Sequence, residues 1–204
     1  MSAAFFDFIY LASQSPRRSQ LLQQLGVRHD LLLAGPEEDA EKLEDEIAGE
    51  SPEVYVERVT QAKLDAALAR MKARGLAQAP VLCSDTTVAV DRQILGKPLD
   101  ADDAFRTLRL LAGRSHRVIT AVALGLGERR SVALNVSSVD FAPLSDEQIR
   151  MYIASGEPFG KAGAYAIQSQ AAAWIYRIEG SYSGIMGLPL YETAQLLRQW
   201  NVQF

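Results

Sequence analysis

The chain has 204 residues, 48% apolar and 23% charged, with a formal net charge of −4. That is the balance of a folded globular protein, and it excludes an intrinsically disordered chain and a non-specific nucleic-acid binder. One cysteine, Cys83, and two histidines, His29 and His116, exclude an intrachain disulfide, a multi-thiolate zinc site and a histidine-rich metal site.

In chain order, residues 5–12 (FFDFIYLA) form an apolar, aromatic and β-branched run that predicts a buried strand. Ser15 as N-cap and Pro16 at the first helical position predict a helix from Pro16 to Leu25 that stops at Gly26. Residues 37–50 carry eight of the 25 acids and one of the 21 bases, a local charge of −7 against +3 for the rest, and read mainly as a solvated loop. Ser51-Pro52 repeats the start signal for a longer helix ending at Gly75, with Tyr55, Val59, Ala62, Ala66 and Ala69 as its apolar stripe. Residues 80–90 predict a strand, followed by a turn at 91–93 and a helix from Asp100 through Ala112 that stops at Gly113. Residues 118–126 and 131–141 predict paired strands, and Ser145 with Gln148 forms a capping box opening a helix to Ser155. A strand over 172–178 and a helix over 188–200 close the chain. Strands and helices alternate without a strict βαβ rhythm, so the expected fold is α/β with a mixed sheet and flanking helices. The longest uncharged run, residues 162–176, is 15 residues and includes Gln168, Ser169 and Gln170, too short and polar to span a bilayer. No basic residue precedes Arg17, so no secretory signal is read; a cytoplasmic protein with no membrane and no nucleic-acid polymer as partner is expected.

Three features carry chemistry. Arg17 and Arg18 fall in the first turn of a helix, where the dipole disfavours cations; a bound phosphate would satisfy the helix N–H groups and both guanidinium forks. Neither a Walker loop nor a G-x-G-x-x-G fingerprint is present, so the anion site is of another kind. Asp85 interrupts an apolar strand and is read as a metal ligand or general base at a strand end, since a buried carboxylate needs a partner. Of only five lysines, Lys97 and Lys161 lie in Gly/Pro-marked loops, placed to reach a polyphosphate. Cys83 reads as a small buried hydrophobe and His116 as a hydrogen-bonding residue at a strand entrance. Trp174, Tyr176 and Tyr182 read as core or edge packing rather than a stacking platform.

These residues in this order resemble the Maf family of nucleoside triphosphate pyrophosphatases. The resemblance runs from Leu11-Ala12-Ser13-Gln14-Ser15-Pro16-Arg17-Arg18 through Tyr55–Arg58 and Lys63, Ser84-Asp85-Thr86-Thr87-Val88 and Leu95-Gly96-Lys97-Pro98. It continues through Lys161-Ala162-Gly163-Ala164-Tyr165-Ala166-Ile167-Gln168 to Gly187-Leu188-Pro189-Leu190. It implies a single domain with an elongated inosine-triphosphatase-like sheet and two lobes around a nucleotide cleft, often as a homodimer. It also implies cleavage of a nucleoside triphosphate to the monophosphate and pyrophosphate with Mg²⁺ or Mn²⁺. Asp85 falls on the family's proton acceptor, and Glu38 with Asp85 on its metal ligands. Arg18, Thr86 and Gln168 match positions tied to substrate choice. Ser13, Ser15, Arg17, Arg18, Lys63, Lys97 and Lys161 make up the implied phosphate cradle. Thr86 and Gln168 resemble the dTTP/UTP branch; a 7-methyl-GTP branch carries Gln and Glu there, and a nucleotide-sensing role in septum inhibition is the alternative class. An amide offers both donor and acceptor to a pyrimidine edge, whereas a carboxylate only accepts. The chain departs from the branch at Ser169, where Gly is usual, so a stiffer or displaced loop is expected around Gln168.

Overall fold

The computed structural model describes residues 5–36, 38 and 41–204, with Glu41 described in its backbone only. One seven-stranded mixed sheet organises the chain in the order β2-β1-β3-β5-β6-β7, with β4 on the edge of β3. β1 (Ile9–Leu11) runs parallel to both β2 (His29–Leu31) and β3 (Val81–Val90). β3 is antiparallel to β4 (Gln93–Leu95) and β5 (Ser115–Leu126); β6 (Arg129–Phe141) and β7 (Ile175–Glu179) continue antiparallel. Helices α1 (Pro16–Gln24), α2 (Pro52–Ala73), α3 (Ala101–Leu111), α4 (Asp146–Ala154), α5 (Tyr182–Ile185) and α6 (Leu190–Gln199) complete it.

The period of two along β3 and β5 divides the core. Val81, Cys83 and Ala123 meet Leu64, Ala67, Leu68 and Met71 of α2, while Ala89, Ile119 and Ala121 meet its Val56 and Val59. On the opposite face, Leu82, Val122 and Leu124 pack with Leu21 and Leu22 of α1 and Leu196 and Leu197 of α6. α3 and α4 cover the far end of the sheet through Leu108, Leu111, Ile149 and Tyr152.

Helix starts follow the capping chemistry. Asp100 accepts from the Asp103 amide at 2.7 Å, and Ser145 and Gln148 form both bonds of the capping box. Gly26 adopts φ +77° just past α1, a conformation that favours glycine. Three readings are corrected. The opening strand is only Ile9–Leu11, because Phe6 bridges to Val202 instead of joining the sheet. The last strand starts at Ile175, since residues 170–174 coil into a 3₁₀ turn. Tyr55 and Val59 are buried as expected, but the rest of the buried face of α2 is Val56, Thr60, Leu64, Ala67, Leu68 and Met71; Ala62 and Ala66 are half-buried and Ala69 exposed. The larger side chains bury more area per residue than alanine, and they set the helix rotation. β2 and β4, each three residues long, carry too short a pattern to be predicted.

Cys83 is fully buried, and burial pushes its thiol up to about 12, which suits a packing role. His116 is also buried, with Nε2 2.8 Å from the Tyr165 hydroxyl and its ring edge-on to Phe141. Burial depresses its pKa from 6.5 to about 4, outweighing the Arg114 backbone and Asp140. As pH falls from about 6.5 to about 4, the unfolded chain takes up a proton that the folded chain refuses, so stability falls by about 3 kcal/mol. The urea midpoint should therefore drop more between pH 7 and about pH 4.5 in the wild type than in His116→Gln; parallel drops would remove His116 from the acid response.

Candidate active site

β1 covers the edge of β3 only as far as Leu82, and β4 covers it again only from Val88. Between them, residues 83–87 have no strand neighbour on that edge, although β5 pairs the other edge without a break. A cleft of about 1230 Å³ opens at this gap. Asp85 is the fifth residue of the ten in β3 and not at a strand end, as the sequence suggested. A polar run is tolerated mid-strand here because one edge faces the cleft, and the buried Ser84 hydroxyl sits 2.8 Å from the Ala121 carbonyl. Alternation sends Asp85 towards α2 and Ser84 and Thr86 to the other face, yet all three line the cleft.

On the α2 side, the Lys63 ammonium donates to Asp85 Oδ1 at 2.6 Å and to Glu44 Oε1 at 2.7 Å. Glu44 Oε2 accepts from Lys97 Nζ at 2.8 Å, so one carboxylate bridges a cation of α2 and a cation of the loop after β4. Burial opposes the charge on both Glu44 and Lys63, but their mutual attraction wins. Lys63 and Lys97 hold the Glu44 carboxyl below its usual range, and Asp85 and Glu44 raise Lys63. Lys63, Ala66 and Arg70 line the cleft together at helical spacings of three and four. Arg70 grips Glu38 with two of its three guanidinium nitrogens, at 2.7 and 2.5 Å, and the Gly35 amide donates to it at 3.2 Å. The Arg70 bonds, against partial burial, pull the Glu38 carboxyl to about 2. Glu38 therefore lines the cleft, with both oxygens already engaged.

The acidic run is less solvated than its composition suggests. Glu37, Asp39 and Ala40 lie outside the described residues, but Glu38, Glu44 and Glu50 each hold a basic partner, Glu50 through a two-nitrogen bond from Arg58. Sequence reasoning missed Glu44. Its placement depends on a 3₁₀ turn at Glu41–Glu44 and on the Tyr55 hydroxyl donating to the Glu44 carbonyl at 2.9 Å.

On the other side, Ser15 caps α1 without a side-chain bond, and its amide donates to Ser13 Oγ at 3.2 Å. Arg18 donates to Ser13 Oγ at 3.1 Å and to the Gly187 carbonyl at 2.8 Å; Arg17 reaches the Met186 carbonyl at 3.4 Å. Burial lowers the Arg18 pKa, Asp85 opposes this, and a guanidinium stays charged regardless. Gly187, at φ +113°, keeps the space between two polar groups open. A Cβ there would lie 3.5 Å from Arg18 Nε and 3.6 Å from Thr86 Oγ1. Lys161 also lines the cleft, with its ammonium on the Glu157 carbonyl; burial, then Arg17, lowers its pKa.

The cleft thus brings together Ser13, Ser15, Arg17, Arg18, Glu38, Lys63, Asp85, Thr86, Lys97 and Lys161. Gln168 is exposed and outside the lining, in a tight turn where the Ser169 hydroxyl donates to the Ala166 carbonyl at 2.8 Å. Among the described residues, no three His, Cys, Asp or Glu side chains converge on a metal position, and no helix is long and apolar enough to cross a membrane.

Comparison with known proteins follows the same residues. A dTTP/UTP pyrophosphatase of Albidiferax ferrireducens is 63% identical over 195 residues, covering 96% of this chain and 98% of the relative. Another of that name, from Burkholderia pseudomallei, is 58% identical over 205 aligned positions, covering 100% of this chain and 98% of the relative. Among solved structures, the Staphylococcus aureus Ham1 protein matches with a TM-score of 0.41 at 16% identity, over 66% of this chain and 71% of that one. The sequence pattern described as Maf-like protein matches residues 8–200, a span that takes in every cleft side chain named above, and the chain belongs to the Maf family.

Proposed function

We propose that this chain is a cytoplasmic, single-domain nucleoside triphosphate pyrophosphatase that hydrolyses dTTP and UTP to the monophosphate and pyrophosphate. The observation that carries the reading is the Asp85–Lys63–Glu44–Lys97 chain of charges in the cleft, a base flanked by cations that a triphosphate can claim. Relatives at 58–63% identity bearing that name over nearly the whole length supply the substrate class.

In this reading Asp85 orients a water and accepts its proton as the water oxygen bonds to the α-phosphorus. The bond from that phosphorus to the bridging oxygen breaks, and pyrophosphate leaves with the electron pair. Lys63, Lys97 and Lys161, with Arg17 and the start of α1, hold the phosphates and offset the charge growing on the leaving group. Asp85 suits a hard divalent cation, Mg²⁺ or Mn²⁺, because its Oδ2 makes no hydrogen bond among the described residues. Glu38 can join it only by releasing Arg70. Such a cation, when bound, neutralises phosphate charge and acidifies water.

Pyrophosphate release across dTTP, UTP, CTP, GTP and 7-methyl-GTP, with and without Mg²⁺, tests the reading. The highest kcat/KM should fall to dTTP and UTP. A preference for 7-methyl-GTP, or nucleotide binding without turnover, would overturn it.

A further inference from the structure

We infer that Thr120, a fully buried residue of β5, fixes the hydrogen-bond polarity of Thr86 and so makes the cleft select a base edge that presents N–H beside C=O. This rests on the pyrimidine nucleotide reading above and names the group that separates uracil and thymine from cytosine.

Thr120 Oγ1 lies 2.8 Å from the Gly184 carbonyl, which can only accept, so the single hydroxyl proton of Thr120 is committed there. Thr120 Oγ1 also lies 2.9 Å from Thr86 Oγ1, and with its own proton spent it can only accept in that contact. Thr86 is therefore the donor to Thr120, and what remains on the Thr86 oxygen is lone-pair density. Thr86 is half-buried and lines the cleft, so it meets a ligand there as an acceptor.

The commitment of Thr120 is built in. Thr86 and Thr120 are direct partners in the β3–β5 register, and Thr120 has no exposed surface on which water could compete. The Gly184 carbonyl is also held in place. Its residue sits in α5, its amide donates to the capping Ser181 hydroxyl at 3.0 Å, and a Cβ on it would come within 2.6 Å of Asn135 Oδ1.

An obligate donor faces the same gap at Gly187. Thr86 Oγ1 and Arg18 Nη2 stand 3.6 and 3.7 Å from the same point, the position a Cβ on Gly187 would take. An acceptor next to a guanidinium matches an edge carrying N3–H next to a carbonyl oxygen, as in uracil and thymine. Cytosine inverts that edge: its N3 lone pair would face the Thr86 lone pair, and its amino group would face Arg18. Guanine shares the favoured polarity through N1–H and O6, so this pair reads polarity and leaves ring size to the walls.

UTP and CTP differ only at this edge, and their kcat/KM ratio is the readout. The wild type should favour UTP. Thr120→Val frees the Thr86 hydroxyl to turn its proton towards the cleft, and the ratio should fall by about tenfold or more. Thr120→Ser keeps the hydroxyl and should keep the ratio. Thr86→Val removes the acceptor while leaving Thr120 on Gly184, and should also lose the preference. Dissociation constants for the α,β-methylene analogues of UTP and CTP, measured by calorimetry, give the same ratio without turnover, so a failed activity and a failed polarity are told apart. A wild type without UTP preference in either measurement, or a Thr120→Val variant that changes both nucleotides by one common factor, would overturn the inference.

Discussion

Asp85→Asn should slow pyrophosphate release from dTTP by about 10²-fold or more while the nucleotide still binds, the loss expected when a positioned base is removed. The amide is isosteric, and its oxygen can still accept from Lys63, whose second bond to Glu44 is untouched. What it cannot do is take a proton from water. Single-turnover rates with dTTP, alongside the dissociation constant and the melting temperature, isolate that step. Wild-type turnover in a folded variant would remove Asp85 from the chemistry.

Lys63→Met should have an effect of similar size by a different route. The Lys63 ammonium lies between Asp85 and Glu44, so its removal leaves two half-buried carboxylates without the cation they share. A triphosphate would then enter a wall that has lost one positive charge, with Asp85 unpaired and Glu44 held by Lys97 alone. We expect kcat/KM for dTTP to fall by about 10²-fold or more, the scale seen when a preorganised charge donor is deleted. Lys63→Arg should restore little, because the longer, planar guanidinium does not fit the position that a compact ammonium takes 2.6 and 2.7 Å from the two carboxylates. A kcat/KM within about tenfold of wild type in Lys63→Met would show that the phosphates do not use this cation.

The sequence made legible what depends on local pattern. The Ser-Pro helix starts, the capping box at Ser145, the long β5–β6 pair and the mixed sheet all follow from signals a few residues long. Asp85 stood out because a carboxylate within an apolar run demands a partner. Its mid-strand position did not, since the gap along β3 is made by where β1 stops and β4 begins, two strands too short to show a period. Glu44 was hidden inside a run whose average charge points to solvent, and only the packing of its turn against Tyr55 draws it inward. Thr120 looked like an ordinary β-branched strand residue. Its importance lies in a cross-strand register with Thr86, thirty-four positions away, and in a carbonyl of α5 that no pattern places beside it.

The unpaired stretch of β3 has a consequence for how this cleft can change. Asp85 and Thr86 are adjacent in sequence but belong to opposite faces of the sheet, joined by one strand that serves as a common ruler. Substitutions that retune the Thr86 face therefore leave the Asp85–Lys63 contact in place, and nucleotide preference can drift without a matching loss of rate. The same ruler forbids another kind of change. A single inserted or deleted residue in β3 before Asp85 would exchange the two faces at once, turning the carboxylate away from Lys63 and the Thr86 hydroxyl off the face it now shares with Ser84. Point substitutions here can be absorbed one at a time, whereas a one-residue slip removes selection and catalysis together.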